Sequence, residues 1–520
     1  MGDNDLHEMK HVLECLWIKY ENEQAIRTKM FSHIQNQLPT LLETTHQNII
    51  DKKTKKKQYT DLCQEFTDDY LEENQYFYLQ SCCEFIKYNN TDYTCISEDD
   101  LWKEILTALN KRSEYSEYKQ KIKTHVVKQI KEQSITSSIP ESSTIQSTLS
   151  LLVPSIFPSK SEAKYFLTIL GDNIMKKNEQ NIHIINNNIK GFLTQLSEIL
   201  TAYLGTAHGV SSFKYKYHDQ TYNKTRLLKT SSHINNNAVW SVNLPKNILN
   251  IIAVACHYSS RYGNSDLFVE KAIRDHNVKE YIFYLKNNTT DSIVSDFTTD
   301  MLSIKNESSH SSKINMKNML YLWKLYLEKK NLPNIMFINT FKNRLKQDMI
   351  YNEESDAFVN VTSKHLPFVS NFLQFWNSNI IISEDDGQEY EVDEIAQLFK
   401  RFCEDITVNV SISDDNIVNA IQHFFPNVVI SGEKYITNIV CKLWNKTKDI
   451  ETYIIKFRDD CQIKDETKSQ SFNTVYKYYC KELPTNSLVV SKSFFEARLL
   501  SITKEHVVNA KCIKSTWWTN

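Results

Sequence analysis

An internal repeat with an offset of 76 residues is the feature that most restricts the fold of the C-terminal third. Two amphipathic helices followed by a β-ribbon occur in each copy, an order typical of a winged helix. The alternative is a pair of small α+β packing units that bind nothing, because the two copies match only in having apolar residues at equivalent positions. In the first copy the pattern comprises Met319, Leu322, Trp323, Tyr326, Leu327, Phe341, Leu345 and the strand Phe358–Val361; in the second it comprises Ile395, Leu398, Phe399, Phe402, Cys403, Ile417, Ile421 and the strand Tyr435–Val440.

Two changes of composition divide the rest of the chain. Residues 134–160 are rich in Ser, Thr and Pro without a persistent period, which predicts a linker. A second polar break, Lys305–Ser312, precedes the repeats. The predicted organisation is a helical domain at 1–133, the linker at 134–160, an α/β domain at 161–304, winged-helix-like units at 314–378 and 390–450, and a C-terminal tail region at 451–520. The predicted fold class is therefore α+β and helix-rich.

Glycine is scarce in this chain, with 8 in 520 residues, and five of them lie between the two breaks (Gly171, Gly191, Gly205, Gly209 and Gly263). The local pattern there predicts a helix at 163–175, a strand at 182–185, a loop at 186–190 and a helix at 192–203. A strand, a tight loop and a helix form the phosphate-binding part of a nucleotide-binding α/β core.

The predicted loop does not carry the residues that phosphoryl transfer needs. A phosphate-binding loop reads G-x-x-x-x-G-K-[ST], in which the Lys reaches the β- and γ-phosphates and the hydroxyl holds Mg²⁺. Here the first Gly is absent, the Gly-Lys order is inverted, and Phe192 replaces the hydroxyl. We therefore expect no catalytic residue, no cofactor and no metal. The degenerate phosphate loop comprises Asn186, Asn187, Asn188, Lys190 and Gly191.

The order of these segments resembles the superfamily 3 helicase core of primase–helicases from large (giant) DNA viruses. The resemblance spans roughly residues 161 to 444. It implies descent from a replicative helicase with loss of its ATPase, and winged-helix units behind the core. The segments that carry it are Tyr165–Ile174, Asn181–Ile185, Phe192–Gly205, Phe213–His218, His257–Asp266, Trp323–Pro367 and Asp393–Phe399.

The best candidate for nucleic-acid binding is the segment Ser211–His233, where cations are interleaved with aromatic residues. As a strand, positions 213 to 218 would present rings on one face and charges on the other, for stacking on bases and pairing with phosphates. The alternative is a half-buried strand whose rings belong to the core. The predicted nucleic-acid-binding residues are Lys214, Tyr215, Lys216, Tyr217, Lys224, Arg226 and Lys229, together with Lys342, Arg344 and Lys346 on the second helix of the first repeat.

Other segments are candidates for contacts with proteins. The second repeat carries Asp414 and Asp415 where the first has cations, which favours a protein contact. Trp517 and Trp518 could anchor a partner or fold back onto the body. The run Lys52–Lys57 could be a nucleic-acid patch, although a solvated loop is the preferred interpretation. His257 and Arg261 share a helix face with Asp266 beyond them, which we interpret as a core histidine and an N-cap.

Composition excludes several classes of protein. Lys and Arg total 61 against 63 Asp and Glu, so nucleic-acid contact requires a local patch. The 11 Cys contain no C-x-x-C spacing, which indicates free thiols. The first residues lack the apolar core of a signal peptide, and no apolar run is long enough to span a bilayer. The predicted compartment is the host cytoplasm (viral factory).

The function predicted first is a non-catalytic, nucleic-acid-associated adaptor of a large DNA virus, derived from a primase–helicase. The alternative is a protein–protein scaffold of a viral replication, transcription or translation-initiation complex without direct nucleic-acid contact. In both, the N-terminal helices, the second repeat and Trp517/Trp518 would hold other viral proteins.

Overall fold

The computed structural model describes residues 3–177, 180–231, 234, 237–304, 312–383, 388–405, 413–432, 434–463, 469–484, 487–508 and 511–519. In these residues the protein is a helix-rich chain of the α+β class with small sheets between its helices. It forms two compact units, Met1–Asn288 and Thr289–Asn520. The division lies before the predicted break, of which residues 305–311 fall outside the described part.

The first unit begins with helices that bury few side chains. α1 (Asp3–Lys19) is followed by α2 (Gln24–Ser32), which continues through a π-helical turn into α3 (Leu38–Glu73). Only the C-terminal part of α3 is buried, at Cys63, Phe66, Thr67 and Tyr70. The run Lys52–Lys57, for which we preferred a solvated loop, lies within α3 and is exposed. Lysine is a good helix former, so a run of it need not interrupt a helix.

A three-stranded antiparallel sheet interrupts the region 1–133, which the sequence pattern predicts to be helical. Its strands are β1 (Gln75–Leu79), β2 (Glu84–Tyr88) and β3 (Tyr93–Ile96). They are dense in Tyr, Phe and Ile, which favour a pleated, half-buried surface over a helix. The helices α4 (Glu98–Leu109) and α5 (Lys119–Glu132) follow.

Residues 134–160 are part of the core and do not form the predicted linker. They contain α6 (Ser142–Leu152), and Leu149, Leu152, Ile156 and Phe157 are fully buried. The Thr148 hydroxyl, also buried, donates to the Thr144 carbonyl at 2.9 Å. Because Ser and Thr can satisfy their hydroxyls on the preceding helical turn, their abundance does not by itself predict an exposed segment.

An α/β region completes the first unit, and its predicted helix, strand and helix at 163–175, 182–185 and 192–203 are confirmed. The three strands are parallel in the order β5-β4-β6, so the predicted strand is central. The elements are α7 (Lys160–Ile174), β4 (Ile182–Ile185), α8 (Lys190–Leu204), β5 (Phe213–Lys214), β6 (Thr225–Leu228), α9 (Asn237–Tyr262), α10 (Ser265–Ala272), α11 (His276–Ile282) and α12 (Tyr284–Asn287).

Gly171 allows α7 and α9 to cross at close range. A Cβ atom at this position would lie 2.1 Å from the carbonyl oxygen of Ala255 and 2.8 Å from the Cβ of Ser259. Every larger residue would therefore push the two helices apart. The helix pair forms the centre of the core of this unit, since Phe166, Leu170 and Ile252 are completely buried.

The second unit repeats one order of elements three times: a helix, a strand, two helices and two strands, with one additional strand after the first helix in the first two repeats. In each repeat the first strand pairs with the last, and the last pairs with the one before it. The first repeat has α13 (Thr290–Met301), β8 (Lys313–Asn315), α14 (Met316–Lys329), α15 (Ile338–Asp348), β9 (Tyr351–Asn352) and β10 (Ala357–Val359), with β7 (Ser303–Ile304) pairing with β11 (Val361–Thr362) beside it.

The second repeat follows the first at the offset of 76 residues that the sequence pattern predicts. α14 and α17 begin and end 76 residues apart, as do α15 and α18. Phe341 and its equivalent Ile417 are both fully buried. The elements of this repeat are α16 (Leu366–Asn379), β12 (Ile380–Ile382), β13 (Gln388–Glu391), α17 (Val392–Asp405), α18 (Asp414–Phe424), β14 (Ile430–Ser431) and β15 (Tyr435–Cys441).

Residues 451–520, predicted as a tail region, form most of a third repeat. It begins at α19, so the predicted boundary at 450 cuts that helix. Its strands have two residues each, too few to give a period in the sequence. The elements are α19 (Lys446–Ile463), β16 (Gln470–Ser471), α20 (Phe472–Glu482), α21 (Lys492–Thr503), β17 (Val507–Val508), β18 (Cys512–Ile513) and α22 (Ser515–Thr519).

Candidate functional sites

The side chains of the segment at the position of a phosphate loop form hydrogen bonds within the segment and to the residues after β6. Asn186 accepts a hydrogen bond from the backbone N–H of Asn188 at 3.2 Å. The Asn188 amide then bridges to the segment after β6: it donates to the Ser231 carbonyl at 2.9 Å and accepts from the Thr230 hydroxyl at 3.1 Å. This space lies beyond the carboxyl ends of β4 and β6, where open α/β sheets bind ligands.

The residues after this segment serve the core. Lys190 is the first residue of α8 and is exposed, and Gly191 is also exposed within that helix. Phe192 is 2% exposed, and its ring contacts Trp240 edge-on with centroids 5.7 Å apart. The position that would hold the Mg²⁺ hydroxyl is thus a core position. The arrangement does not supply the hydroxyl that holds Mg²⁺ in phosphoryl transfer.

Arg226, predicted to bind nucleic acid, is 3% exposed and forms a buried ion pair. Its Nε and Nη2 atoms donate to the two carboxylate oxygens of Asp266 at 2.9 and 2.7 Å. Its Nη1 atom donates to the carbonyls of Asn223 and Thr225 at 2.6 and 3.0 Å. Burial opposes the charge of Asp266, but hydrogen bonds from Arg226 outweigh it and lower the pKa of that carboxyl. The guanidinium is therefore structural and cannot reach a phosphate.

Asp266, which we interpreted as an N-cap near His257, does not cap α10. Asp266 turns to Arg226, and the N-cap of α10 is Asn264, whose Oδ1 accepts from the Leu267 N–H at 2.7 Å. His257 is half-buried, and burial followed by the charge of Arg261 lowers its pKa. A histidine in this state is neutral near pH 7, and within the described part of the chain it has no acid partner of the kind that orients a general base.

His183 is a buried polar group that sequence reasoning missed. It lies on the central strand β4, where its Nδ1 is 3.2 Å from the Ser212 hydroxyl. Among the described residues its Nε2 has no hydrogen-bond partner. Burial lowers the pKa of His183 to about 3, and the charges of Asp266 and Arg226 act in opposite directions. A single apolar-flanked His in a strand gave no sequence signal that distinguishes it from a core residue.

Asp172 organises a second buried polar group, also missed. Its carboxylate accepts from the Ser259 hydroxyl at 2.5 Å and from the Ser265 N–H at 2.7 Å. The Lys177 ammonium lies 3.9 Å away and donates to the carbonyls of Ser259 and Gly263. Burial raises the pKa of Asp172 against these hydrogen bonds. The network ties α7 to α9 and α10, which is a structural role.

The segment 211–231 shows the predicted alternation of exposure without the predicted strand. β5 ends at Lys214, and Ser232 and His233 lie outside the described residues. Lys214 and Lys216 are exposed, whereas Tyr215 and Tyr217 are half-buried. Tyr215 packs against the core of the unit, and the ring of Tyr217 meets that of Tyr222 at 5.7 Å. The rings of Phe213 and Tyr215 thus face the core, as the alternative interpretation predicts.

The other lysines of this segment differ in their surroundings. Lys224 donates to Gln180, and Lys229 is exposed. Near the start of β5 a polar cleft of about 680 Å³ opens. It is lined by Lys176, Lys177, His208 and the neighbouring residues Asn173, Gln180, Asn181, Ile182, Ser211 and Ser212. The exposed Lys214 and Lys216 follow the lining residues Ser211 and Ser212 along the chain.

The cations on α15 of the first repeat are paired with acids of the same unit. Lys342 lies 2.9 Å from Asp356 and Lys346 lies 2.6 Å from Glu353. Arg344 lies 2.7 Å from Asp291 and 3.4 Å from Asp348. The equivalent helix α18 begins with Asp414 and Asp415. In α21 of the third repeat, Arg498 pairs with Glu451 and Lys492 with Glu496.

Trp518, predicted as a partner anchor, is part of the core of the third repeat. It is fully buried, and its ring meets that of Phe457 edge-on at 4.9 Å. Trp517 is half-buried, with the guanidinium of Arg458 5.7 Å from its ring. The sequence left two outcomes open for the pair, an anchor for a partner or folding back onto the body. The second outcome applies to Trp518.

Comparison with protein-family models, with curated proteins and with solved structures finds no match. Among the described residues no group of three or more His, Cys, Asp or Glu side chains could hold a metal ion. No helix in the described ranges combines the length and the apolar character that crossing a bilayer requires.

Proposed function

We propose that this chain is a non-catalytic scaffold, derived from a primase–helicase of a large DNA virus, whose tandem repeats are winged-helix units that contact proteins. The observation that carries the proposal is the charge on the second helix of each repeat. In α15 the cations are neutralised by neighbouring acids, α18 begins with two acids, and α21 pairs its cations within the repeat.

The charge on these helices distinguishes between a nucleic acid and a protein as the partner of the repeats. Nucleic-acid binding draws most of its free energy from cations that displace counterions from phosphates. A cation already beside a carboxylate contributes little net potential, and Asp414 and Asp415 would repel a phosphate. A protein surface with complementary cations suits the second repeat better. The broken phosphate loop supports the non-catalytic part of the proposal.

The experiment is retention of partners by the full-length chain, tagged and expressed in its native host cells. After nuclease treatment the wild type should retain defined proteins in fixed ratio to itself. Asp414→Lys with Asp415→Lys should lose at least one of them, whereas the matched change of two exposed acids, Glu72→Lys with Glu73→Lys at the end of α3, should not. Loss of every retained protein on nuclease treatment would contradict the proposal.

Direct nucleic-acid contact is the second candidate, and one observation favours it. Lys214 and Lys216 are both exposed, and they follow Ser211 and Ser212, which line the cleft together with Lys176, Lys177 and His208. These cations could bind phosphates without reading bases, since the ring of Tyr215 packs against the core of the unit. Its affinity would fall steeply with salt concentration.

A further inference from the structure

The polar cleft of about 680 Å³ in the α/β region opens at the amino ends of the parallel strands. Ile182, the first residue of β4, and Ser212, the residue before β5, both line it. The degenerate phosphate loop begins at Asn186, after the carboxyl end of β4, and so lies at the opposite end of the sheet. The volume is in the range of pockets that hold small organic molecules. The cleft is therefore a site distinct from the one that the sequence pattern indicates.

The described residues that line the cleft include cations and no acid. Lys176, Lys177 and His208 contribute nitrogen groups, and the other lining residues are Asn, Gln, Ser and Ile. The carboxylate of Asp172, 3.9 Å from the Lys177 ammonium, is buried and is not part of the lining. Lys176 is exposed and takes part in no ion pair of the described chain. A ligand in this cleft thus meets a positive potential, which attracts an anion.

The ammonium of Lys177 is held in place by backbone groups. It donates to the carbonyls of Ser259 and Gly263 at 2.8 and 2.6 Å, and its side chain is 25% exposed. An ammonium group has three hydrogens, so one remains for a ligand. A cation that is already positioned loses little conformational freedom when it binds an anion.

Hydrogen bonds within the wall also fix its neutral polar groups. The Asn173 amide donates to the Gly209 carbonyl at 2.8 Å and to the Ser212 hydroxyl at 2.9 Å. The same hydroxyl lies 3.2 Å from Nδ1 of the buried His183. The wall between α7 and β5 therefore has its shape before any ligand enters, which lowers the free-energy cost of binding.

Gln180 supplies a hydrogen-bond donor to this cleft. Its Oε1 atom accepts from the Lys224 ammonium, which adds a further cation behind the lining. Among the described residues the Nε2 group of Gln180 has no partner. An amide with its oxygen engaged and its N–H group free is suited to an acceptor such as an oxyanion.

The backbone at Lys176 indicates that its side chain does more than end a helix. Its φ is +52°, in the left-handed region. Six of the eight described non-glycine residues with positive φ are Asn or Asp, which tolerate this region, and Lys176 and Cys83 are the other two. Glycine is the usual residue in this conformation after a helix, and lysine there costs about 1 kcal/mol. The chain thus places a lysine at the cleft at a cost in stability, as functional sites do.

We infer that this cleft binds a small phosphate ester, with the phosphate group held by the ammonium groups of Lys176 and Lys177. Lysine binds phosphate as a point charge, and a monoester presents three acceptor oxygens, which the N–H groups of His208 and Gln180 can also meet. A carboxylate would be matched better by the fork of an arginine, and no arginine is among the described lining residues. The volume of the cleft leaves room for the organic part of the ester.

The inference does not depend on the scaffold proposal. The cleft belongs to the first unit and the tandem repeats to the second, and a bound ester need not react. Loss of partner proteins from the repeats and loss of ester binding at the cleft are separate measurements.

The test is isothermal titration calorimetry of the full-length chain with glucose 6-phosphate, adenosine 5′-monophosphate and inorganic phosphate as probes. We expect at least one of the two esters to bind with a dissociation constant below about 1 mM. Its unphosphorylated counterpart, glucose or adenosine, should show no binding at that concentration. Inorganic phosphate should bind at least about tenfold more weakly than the ester, because it leaves most of the cleft unfilled.

Two lysine variants locate the bound ester. Lys176→Ala should raise its dissociation constant at least about tenfold, because a charge-assisted hydrogen bond is lost. The matched control is Lys190→Ala, which removes an exposed lysine beside the degenerate phosphate loop and should leave the affinity unchanged. Both side chains are exposed, so neither change should affect folding.

Four results would overturn the inference. The first is that neither ester binds, and the second is that an ester and its unphosphorylated counterpart bind equally well. The third is an affinity that depends on Lys190 and not on Lys176, which would place the ligand at the other end of the sheet. The fourth is inorganic phosphate that binds as tightly as the esters, which would overturn the assignment to an ester.

Discussion

Arg226 and Asp266 form a two-hydrogen-bond ion pair, 2.9 and 2.7 Å long, between β6 and the first turn of α10. The Lys286 ammonium adds a second cation 3.8 Å from the carboxylate. The pair joins segments 40 residues apart in the sequence, and the guanidinium is almost completely removed from solvent. It connects the parallel sheet to the helices that follow it.

Removal of one member of this pair should destabilise the first unit strongly. Asp266→Ala leaves Arg226 as a buried charge without its counterion, which costs about 3–5 kcal/mol in the free energy of unfolding. Urea unfolding monitored by circular dichroism measures it. Lys229→Ala, which changes an exposed lysine of the same segment, serves as the control and should shift the free energy by less than about 0.5 kcal/mol. Equal effects of the two changes would contradict the assignment.

His183 should make the stability of the first unit depend on pH. Its folded-state pKa of about 3 lies below the value of about 6.5 in an unfolded chain. As pH falls below about 6.5 the unfolded state therefore binds the proton first, and stability is lost at up to about 1.4 kcal/mol per pH unit down to about pH 3. Above pH 7 the group contributes no dependence.

The measurement for His183 is the free energy of unfolding at pH 7.5 and at pH 5.5 for the wild type and for His183→Gln. The other titrating groups are the same in both proteins, so the difference between their losses isolates His183. We expect the wild type to lose about 1 kcal/mol more than the variant. An equal loss in both would show that His183 can accept a proton in the folded state.

Gly171→Ala should be destabilising although alanine is the better helix former. In an open helix this change stabilises by about 1 kcal/mol. Here the new methyl group would meet the Ala255 carbonyl, and the separation of α7 from α9 should cost at least about 3 kcal/mol. The control is Gly432→Ala, where φ is +57° and no atom lies within 4 Å, so only backbone strain of about 1 kcal/mol is expected. Thermal unfolding compares the two variants.

Replacement of each of the two terminal tryptophans by alanine should destabilise the third repeat to a different extent. Trp518→Ala removes a fully buried ring and should cost about 3–5 kcal/mol, since it leaves a cavity beside Phe457. Trp517→Ala removes a half-buried ring and should cost about 1 kcal/mol. Protease sensitivity of the C-terminal 75 residues reports the difference. A resistant Trp518 variant would mean that this ring is not needed for the fold.

Local sequence patterns predicted the elements that depend on neighbouring residues. Ser97 caps α4, with the Asp100 N–H donating to its hydroxyl at 3.1 Å, and an N-cap Ser followed by three acids is a pattern typical of a helix start. The helices and strand of the α/β region and the first two repeats follow from apolar periodicity in the same way. The periodicity that predicts each single helix or strand is contained in fewer than about 20 residues.

Long-range partners could not be predicted from those patterns. No residue near Arg226 in the sequence indicates that this side chain is buried and paired with Asp266. From the sequence alone, a cation that binds phosphate is an equally good interpretation of Arg226. Trp518 looks exposed because the residues around it are polar. The third repeat was not predicted because its short strands leave no period in the sequence. Its helices match the helices of the other two repeats only in the positions that are buried.

The most direct test of the scaffold proposal is the affinity of the full-length chain for 30-nucleotide single-stranded and double-stranded DNA and RNA, measured by fluorescence anisotropy at 50 and 200 mM salt. The proposal predicts that no probe reaches half-saturation below about 100 µM at 200 mM salt, which is the weak end of non-specific binding. Submicromolar binding that falls steeply with salt, and that Lys214→Glu with Lys216→Glu removes, would contradict it.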